Sequence, residues 1–555
     1  MAALFPLALA LLHTLLSQVP ATATTQSDAR QPAVKPEEMC IIEGVVVKAT
    51  TGDALKKAVL TLTKVEERNQ PKNATSDASG HFQLKNVEPG RYHLYATRNG
   101  YARQEYGQRA THGSGTILTL TAGQHLKDIS FRLTPAAALA GHVYDEDGEP
   151  VAEAVVQALH FQYEKGQRKL MASRSFETND LGEYRLYGLE PGQYYVSASY
   201  DPRRFGGEGA EGGYAAVYYP GSADPGRASA LDLHAGDEVP GIDFTLTPVK
   251  TFNVKGRVYD AVNSRPGIHA NLFLQPRNTE VQRWTMTSQS FVQDPQGVFE
   301  LRGVVPGSYY LLAVNFEGEK QYSAREAIEV SEADVEGVSL VIGPGIDVKG
   351  RIRVEGNAAL DPSVLNIWLQ PREQMTMYFG GGGSIKPDGS FTISNVADGD
   401  YQFEMWDLPE DFYVKAVRAA SSDVLASDLS VSRKQPPGAL EVVLSPNGGR
   451  IDGRVLKEDK PFSGATVVLV PEEGRRKEER LYKSTSTDQE GQFSIRGITP
   501  GDYTLFAWET VEHGAYMDPE FLHPYKDRGK PVRVEEGNKL NSQLDLIPAS
   551  EPAGP

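Results

Sequence analysis

The sequence predicts an all-β protein, a tandem array of five β-sandwich domains with about seven strands each. The first observation is an internal repeat: the segment DASGHFQLKNVEPGRY at 77–92 returns four times in altered form. The second is the supply of turn-forming residues, 54 glycines and 35 prolines. The third is that helical periodicity is absent after the N-terminal segment, whereas apolar and polar residues often alternate.

The repeated segment predicts a turn, a strand, a second turn and a second strand. Gly80 can take a positive φ in the first turn, and Phe82 starts the alternating strand two residues later. Pro89-Gly90 predicts a type II turn, after which Tyr92 starts the next strand. In the fourth copy Asp398 stands in place of the proline, which predicts a looser turn. The further copies lie at 179–194, 294–309, 388–401 and 488–503.

Strands on both sides of the repeated segment complete each unit. Each unit opens with a glycine-led apolar strand and is followed by a turn and a second apolar strand. Most units end with a strand that runs into proline. The opening glycines are Gly44, Gly141, Gly256, Gly350 and Gly453, and the closing strands are 129–135, 242–248, 440–446 and 544–548. About seven short strands in roughly 100 residues are typical of a small β-sandwich.

These boundaries divide the chain into eight segments. We expect a signal peptide at 1–23, a flexible leader at 24–39, domains at 40–135, 136–249, 250–344, 345–446 and 447–548, and a disordered tail at 549–555. Because the linkers are only a few residues long, we expect a semi-rigid rod in which neighbouring domains touch over modest polar interfaces.

The N-terminal segment predicts export. An apolar run at 2–16 precedes Ala21-Thr22-Ala23, a small-residue cleavage site, although no Lys or Arg stands before the run. The alternative is an uncleaved anchor, but the run is too short for a comfortable membrane span. We therefore expect a secreted protein, periplasmic, at the outer cell surface or extracellular, with no transmembrane segment in the mature chain.

Cys40 is the single cysteine, so the chain has no intrachain disulfide. Its place at the start of the first strand predicts a small buried hydrophobe. An intermolecular disulfide is the alternative.

The repeated motifs carry a resemblance to a known family. The Gly-x-Val opening, the Asp-x-x-Gly-x-aromatic turn and the Pro-Gly-x-Tyr step resemble the carboxypeptidase regulatory-like domain. The segments at 100–109 and 218–228 are similar to multi-copy secreted proteins of soil bacteria such as Acidobacteria. The resemblance implies a transthyretin-like, prealbumin-like β-sandwich, no transferable catalytic residues, and a structural or binding role.

Charge and motifs argue against several classes of function. The net charge of -17 argues against non-specific nucleic-acid binding, which needs basic patches. Neither His-x-x-Glu nor Gly-x-Ser-x-Gly occurs, and the glycine-rich segment at 207–212 lacks the strand and helix of a dinucleotide site. We therefore predict no catalytic residues, no metal and no cofactor. His513 and His523 leave a zinc site open as an alternative, while the recurring turn aspartates are expected to cap the backbone rather than bind calcium.

Aromatic residues in the longer loops are the candidate binding residues. Aromatics on loops of a rigid sandwich can stack on sugars or peptides, and the alternative is that they pack into the core. The candidates are Arg203, Phe205, Tyr214, Tyr218, Tyr219, Tyr516, Phe521 and Tyr525, and the segment at 375–384 adds Tyr378 and Phe379.

The sequence as a whole predicts a secreted, non-enzymatic scaffold with a structural, adhesive or accessory role. Its expected partner is a polysaccharide, peptidoglycan or a cell-surface protein. A carbohydrate- or peptide-binding protein that uses the aromatic loops is one alternative. A hydrolase or metal-dependent enzyme with an unrecognised site is another.

Overall fold

The structure is a computed structural model that describes most of the chain from residue 35 to residue 549. The described residues are 35–66, 70–111, 113–201, 213–262, 265–266, 269–277, 281–282, 288–318, 320–372 and 381–549. The predicted signal peptide, Arg203, Phe205, Tyr378 and Phe379 lie outside them, as do most of the predicted leader and tail. We use units one to five for the predicted domain ranges 40–135, 136–249, 250–344, 345–446 and 447–548.

The described chain is built from β-strands, which confirms the all-β prediction. Its helical segments are short: an α-helix at Pro519–Leu522 and 3-10 turns at Pro36–Glu38, Pro225–Arg227, Pro362–Val364, Glu473–Arg475, Glu479–Leu481, Ala515–Met517 and His523–Arg528. None of the helices in the described ranges is long and apolar enough to cross a membrane.

Unit one forms two sheets, in the orders β4-β1-β8 and β3-β2-β5-β6, with β7 beside β5. Its strands are β1 (Cys40–Lys48), β2 (Val59–Lys64), β3 (Lys72–Thr75), β4 (His81–Val87), β5 (Gly90–Thr97), β6 (Gln104–Glu105), β7 (Leu118–Leu120) and β8 (His125–Leu133).

Unit two has the same two-layer plan, with sheets β12-β9-β17 and β15-β13-β10-β11. Strands β10 and β11 form a long hairpin. The strands are β9 (Ala137–Tyr144), β10 (Val155–Glu164), β11 (Gln167–Glu177), β12 (Glu183–Leu189), β13 (Gly192–Ser199), β14 (Gly213–Tyr214), β15 (Val217–Tyr218), β16 (Leu231–Leu233), β17 (Glu238–Val239), β18 (Phe244–Thr245) and β19 (Pro248–Val249).

In unit three the hairpin β25–β26 continues into β27, so both layers join in the order β23-β21-β25-β26-β27-β20-β24. The strands are β20 (Phe252–Asp260), β21 (Ala270–Pro276), β22 (Val281–Gln282), β23 (Ser288–Val292), β24 (Val298–Val304), β25 (Gly307–Glu317), β26 (Lys320–Val330) and β27 (Val335–Pro344). Strand β22 pairs with β11 of unit two.

Unit four is joined in the order β34-β33-β36-β28-β31-β30-β29-β32-β35. The strands are β28 (Ile346–Val354), β29 (Asn366–Pro371), β30 (Gly382–Ile385), β31 (Ser390–Val396), β32 (Gly399–Trp406), β33 (Tyr413–Ala419), β34 (Ser422–Asp423), β35 (Leu429–Val431) and β36 (Leu440–Ser445).

Unit five forms sheets β38-β37-β41 and β40-β39-β42-β43, with β44 beside β37. The strands are β37 (Gly449–Lys457), β38 (Lys460–Pro461), β39 (Thr466–Pro471), β40 (Lys483–Ser486), β41 (Gln492–Ile498), β42 (Gly501–Trp508), β43 (Lys530–Val534) and β44 (Lys539–Asp545).

Each unit contains its own hydrophobic core. The longer strands bury one face, and burial alternates along β4 from His81 to Lys85 as the period of two requires. Five main buried clusters fall within 40–133, 137–246, 252–342, 348–444 and 451–546. Cys40 is fully buried in the first of them, as a residue at the start of the first strand was expected to be.

The first turn of the repeated segment behaves as predicted. Gly80 has a φ of 77°. The Asp77 carboxylate accepts hydrogen bonds from the backbone N–H groups of Ser79 at 2.8 Å and His81 at 2.9 Å. Asp488 does the same for Glu490 and Gln492. In these copies the acid is therefore a backbone cap of the turn, and in unit two Asn179 takes this role instead of Asp180.

The second turn differs from the prediction. Gly90 has a φ of 152°, far from the value near +80° that a type II turn requires, so Pro89-Gly90 is a bend that leads directly into β5. The Tyr92 hydroxyl donates to the Glu88 carbonyl at 2.9 Å and closes this bend. The equivalent bond recurs at Tyr309, Tyr401 and Tyr503. The tyrosine therefore supplies the closing bond that the turn geometry was expected to give.

The five units do not form the expected rod, because unit one contacts unit five. The Thr119 backbone N–H donates to the Gln489 side chain at 3.0 Å, and that side chain donates back to the Thr119 carbonyl at 2.8 Å. Arg109 donates to the Ser463 carbonyl at 2.6 Å and stacks on the Phe462 ring. The rod was expected from linker length alone, which limits only the distance between consecutive units.

Candidate functional site

The loop between β42 and β43 covers the outer face of the fifth unit's second sheet. Asp518 caps the helix 519–522 by accepting from the Glu520 N–H at 2.9 Å, and Pro519 occupies its first position. The helix places Leu522 on an apolar cluster that includes Trp508. The loop therefore forms a second, outer core.

The hairpin β10–β11 of unit two docks on this outer core. The Tyr163 ring lies 6.3 Å from the Phe521 ring. The Tyr163 backbone N–H donates to the Glu512 carboxylate at 3.3 Å. A Cβ at Gly514 would lie 3.1 Å from the Tyr163 carbonyl oxygen, so glycine permits the close approach. Burial, assisted by the charge of Asp518, raises the pKa of the Tyr163 phenol. The contact joins units two and five through aromatic packing.

The three aromatic candidates of this loop contribute to that packing. Tyr516 is only 3% exposed, which leaves no accessible ring face for a ligand. Phe521 and Tyr525 are partly buried and lie 5.4 Å apart, and Tyr525 also meets Trp508 edge to face at 5.8 Å. In this structure Tyr516 is a core residue, as the packing alternative expects. Ligand binding by Phe521 and Tyr525 stays a prediction.

The histidines of the loop do not meet in a metal site. Both are exposed, and the His513 ring contacts the Tyr516 hydroxyl at 3.1 Å. In the part of the chain that the structure describes, no cluster of three or more His, Cys, Asp or Glu side chains has metal-binding geometry.

The tyrosines of unit two are divided between core and surface. Tyr218 is fully buried, so it too is a core residue here. Tyr219 packs against the Phe244 ring at 6.4 Å. The Tyr214 hydroxyl donates to the Glu146 carboxylate at 3.0 Å, and burial followed by this carboxylate raises its pKa to about 12. Tyr214 and Tyr219 keep partial exposure, and binding by them stays a prediction.

A cleft of about 330 Å³ opens where units one, two and five meet. Its walls combine cation, ring and carboxylate. The Arg168 guanidinium lies over the Phe161 ring at 4.3 Å, and Glu512 on the loop of unit five also lines the cleft. Thr111 and Thr510 supply hydroxyl groups. This mixture of charged, aromatic and hydroxyl groups is suited to holding a small polar group.

Sequence reasoning overlooked the tryptophans of unit four. Trp406 is exposed and Trp368 is half-buried on the neighbouring strand, with ring centres 6.4 Å apart. The signal was present in the alternation: Trp406 shares its parity with Gln402 and Glu404, whereas Tyr401 and Phe403 are buried. An outward tryptophan is unusual because its large apolar area favours burial.

Comparison with known proteins confirms the family resemblance for part of the chain. Residues 41–134 and 138–205 match the family described as Carboxypeptidase regulatory-like domain. In units three to five the first strand likewise pairs in parallel with a strand near the end of the unit.

The chain also resembles two groups of curated proteins. It is 26% identical to the human BOS complex subunit NOMO3 over an alignment of 287 residues. This alignment covers 48% of this chain and 21% of NOMO3. It is 26% identical over 134 residues to Serine-aspartate repeat-containing protein D of Staphylococcus aureus (strain Newman), covering 22% and 10%. The chain thus spans about a fifth or less of the relatives it matches.

Solved structures with similar features include two pilins. A streptococcal ancillary pilin is 10% identical to this chain, with a TM-score of 0.20. The match covers 55% of this chain and 99% of the pilin chain. GBS52, the minor pilin of Streptococcus agalactiae, is 14% identical, with a TM-score of 0.23. The match covers 39% of this chain and 97% of the GBS52 chain. Superpositions at these scores add no evidence on function.

Proposed function

We propose that this chain is an exported, non-enzymatic scaffold with a structural, adhesive or accessory role in the periplasm or at the cell surface. The observation that carries the proposal is the contact of unit one with unit five. The Thr119–Gln489 pair and the Arg109–Ser463 bond hold the two ends of the array together. A chain whose terminal units bind each other presents a fixed surface rather than a flexible string.

The division into five domains is part of this proposal. Each predicted range contains one main apolar core, and the first strand of each unit pairs in parallel with a strand near its end. These parallel pairs are β1 with β8, β9 with β17 and β18, β20 with β27, β28 with β36, and β37 with β44. Such closure within a unit supports independent domains.

Contacts between units support the scaffold in preference to a loop-based binding protein. Tyr163 and Tyr516 are used in the outer core of unit five, and Tyr218 is used inside unit two. Rings that pack inside the protein stabilise its architecture instead of a complex. The human relative is by name a complex subunit, which supports an accessory role beside other proteins.

Export is the part of the proposal that depends on residues 1–23. The test is to express the full chain, with a C-terminal tag, in a Gram-negative host and to separate cytoplasm, periplasm, membranes and medium. We expect tagged protein in the periplasm or the medium, shortened by removal of residues 1–23. The control Leu11→Arg interrupts the apolar run and should keep the chain in the cytoplasm. Cytoplasmic retention of the unaltered chain would contradict export.

The non-enzymatic role has its own test. The purified chain is incubated with polysaccharide, peptide and ester substrates, with and without Zn²⁺, and products are measured by chromatography. We expect no product above that formed by a heat-denatured sample. Turnover that depends on Zn²⁺ and disappears in His513→Ala would establish the enzyme alternative instead.

A further inference from the structure

The cleft where units one, two and five meet is walled by charged, aromatic and hydroxyl side chains of all three units. They include Thr111 of unit one, Phe161 and Arg168 of unit two, and Thr510 and Glu512 of unit five. Its volume of about 330 Å³ lies at the small end of the range of ligand pockets. The cleft therefore suits a small molecule rather than a polymer.

The strand register brings Arg168 to this cleft. Arg168 on β11 stands opposite Tyr163 on β10, the residue that packs on Phe521 of unit five. Directly opposite residues of paired strands project to the same face of a sheet, so the guanidinium lies beside the contact between units two and five. It also stacks over the Phe161 ring at 4.3 Å. A long side chain held in this way loses less conformational entropy when it binds a ligand.

The Arg168 guanidinium is available to an anionic group. The residue is exposed, and among the residues that the structure describes it contacts the Phe161 ring but forms no ion pair. A guanidinium presents a planar fork of N–H donors that matches the two oxygens of a carboxylate. Arg168 can therefore bind a ligand carboxylate in the cleft.

Glu512 brings a negative charge to the same cleft. One of its carboxylate oxygens accepts the Tyr163 backbone N–H at 3.3 Å. A carboxylate has about four acceptor sites, so this bond does not exhaust its capacity. Burial is the main reason that the pKa of the Tyr163 phenol is raised. Arg168 opposes this shift and Glu512 adds to it, so both charges lie close to one ring.

This pair of opposite charges selects among ligand classes. Arg168 attracts an anionic group, whereas Glu512 repels one and attracts a cation. Glu512 therefore disfavours phosphates and other multiply charged anions, and Arg168 disfavours a simple amine. A zwitterion that carries one carboxylate and one ammonium complements both charges.

The other walls fit the remaining parts of such a ligand. Thr111 and Thr510 carry hydroxyls that both donate and accept hydrogen bonds, and the Phe161 ring and Pro191 are apolar. A Cβ at Gly113 would lie 3.5 Å from the Thr510 methyl group, so the loop of unit one lies directly against unit five here. A ligand with an apolar side chain matches these walls.

We propose that this cleft binds a small zwitterion with an apolar side chain, which is a free amino acid or a short peptide. Arg168 binds the carboxylate of the ligand and Glu512 binds its ammonium. Because such a ligand touches three units, its binding favours the closed array by mass action. The proposal rests on the closed arrangement in the proposed function, since Thr111 and Glu512 belong to units one and five.

Binding is tested on the purified chain from residue 24 by isothermal titration. The probes are leucine, phenylalanine, alanyl-leucine and alanyl-phenylalanine, so the two amino acids and the two dipeptides distinguish the sources of the zwitterion. Each probe is compared with its N-acetyl form, which lacks the ammonium, and with its amide, which lacks the carboxylate. We expect one molecule to bind per chain, and either blocked form to bind on the order of tenfold more weakly or less tightly still.

Three substitutions assign the two charges. Arg168→Gln should weaken binding on the order of tenfold or more. Arg168→Lys should weaken it less, because the charge is kept while the planar fork is lost. Glu512→Gln keeps an acceptor for the Tyr163 N–H and should remove the difference between a probe and its N-acetyl form. The matched control is Arg257→Gln, which replaces an exposed arginine of unit three outside the cleft and should leave the Kd unchanged.

Three results would overturn the proposal while the closed array stands. The first is that no probe binds at millimolar concentration although X-ray scattering shows a compact chain. The second is unchanged binding in Arg168→Gln while thermal unfolding shows that the variant is folded. The third is that the blocked forms bind as tightly as the probes themselves. An extended chain that binds none of the probes would contradict the closed array and this proposal together.

Discussion

The glycine that opens each unit should be intolerant of even one added carbon, and Gly453 gives the sharpest case. A Cβ at this position would lie 2.0 Å from the Ser542 carbonyl oxygen on the parallel strand β44. It would also lie 2.6 Å from the Phe493 ring. The φ of Gly453 is not in the left-handed region, so the obstacle is space and not backbone conformation.

The magnitude follows from what must move. Overpacking of a core costs about 1–3 kcal/mol. Separation of β37 from β44 also weakens roughly two hydrogen bonds, at about 1 kcal/mol each. Alanine also lowers the conformational entropy of the unfolded chain relative to glycine, which offsets the destabilisation by about 0.4–1 kcal/mol. Gly453→Ala should therefore lower the free energy of unfolding of unit five by about 2–4 kcal/mol.

Hydrogen exchange of the full chain measures the loss of stability strand by strand. A local measurement is needed because several units need not unfold in one step. Amides of β37 and β44 should exchange on the order of a hundredfold faster in Gly453→Ala, while those of unit three keep their rates. Gly474→Ala is the matched control, since a Cβ there meets nothing within 4 Å. Equal protection in the two variants would refute the argument from close approach.

Two further predictions concern the contacts of units one and two. Tyr163→Ala removes the ring that packs on Phe521 and should make the β10–β11 hairpin more sensitive to limited proteolysis, whereas Tyr187→Ala should not. Burial opposes ionisation of Glu105, but hydrogen bonds from His93 at 2.5 Å and the Gly115 N–H outweigh it and hold its pKa below the ordinary value. A lowered pKa stabilises the folded state above the ordinary carboxyl pKa, and this stabilisation disappears as pH falls through the folded value. Urea unfolding should therefore show unit one losing stability below about pH 4.5, and Glu105→Gln should flatten this dependence; an unchanged profile would contradict the assignment.

The local structure was largely predictable because it depends on near neighbours in sequence. Asp77 and Gly80 specify a turn through side-chain capping and positive φ, and both behave as expected. Alternation identified Phe82 and Tyr92 as core residues. The prediction of a type II turn at Pro89-Gly90 was wrong, because the Tyr92 hydroxyl closes the bend by donating to the Glu88 carbonyl and Gly90 has a φ of 152°.

The arrangement of the units was not predictable from the repeat. It depends on segments that depart from the repeat, such as the tip of the β10–β11 hairpin and the loop at 509–528, whose contacts join residues hundreds of positions apart. The aromatic loop candidates show the same limit. A tyrosine has the same pattern in sequence whether it stacks on a ligand or on a second core, and Tyr218 and Tyr516 proved to be buried.

The closure of the array is the central claim, and the radius of gyration from small-angle X-ray scattering tests it most directly. For the chain from residue 24, units packed together predict a value of about 25–30 Å, whereas five beads in a line predict about 50 Å. We expect the smaller value for the unaltered chain. We expect a larger one when Arg109→Ala, Gln489→Ala and Tyr163→Ala are combined, since together they remove the side chains that contact Ser463, Thr119 and Phe521. A value near 50 Å for the unaltered chain would contradict the closed scaffold and restore the rod.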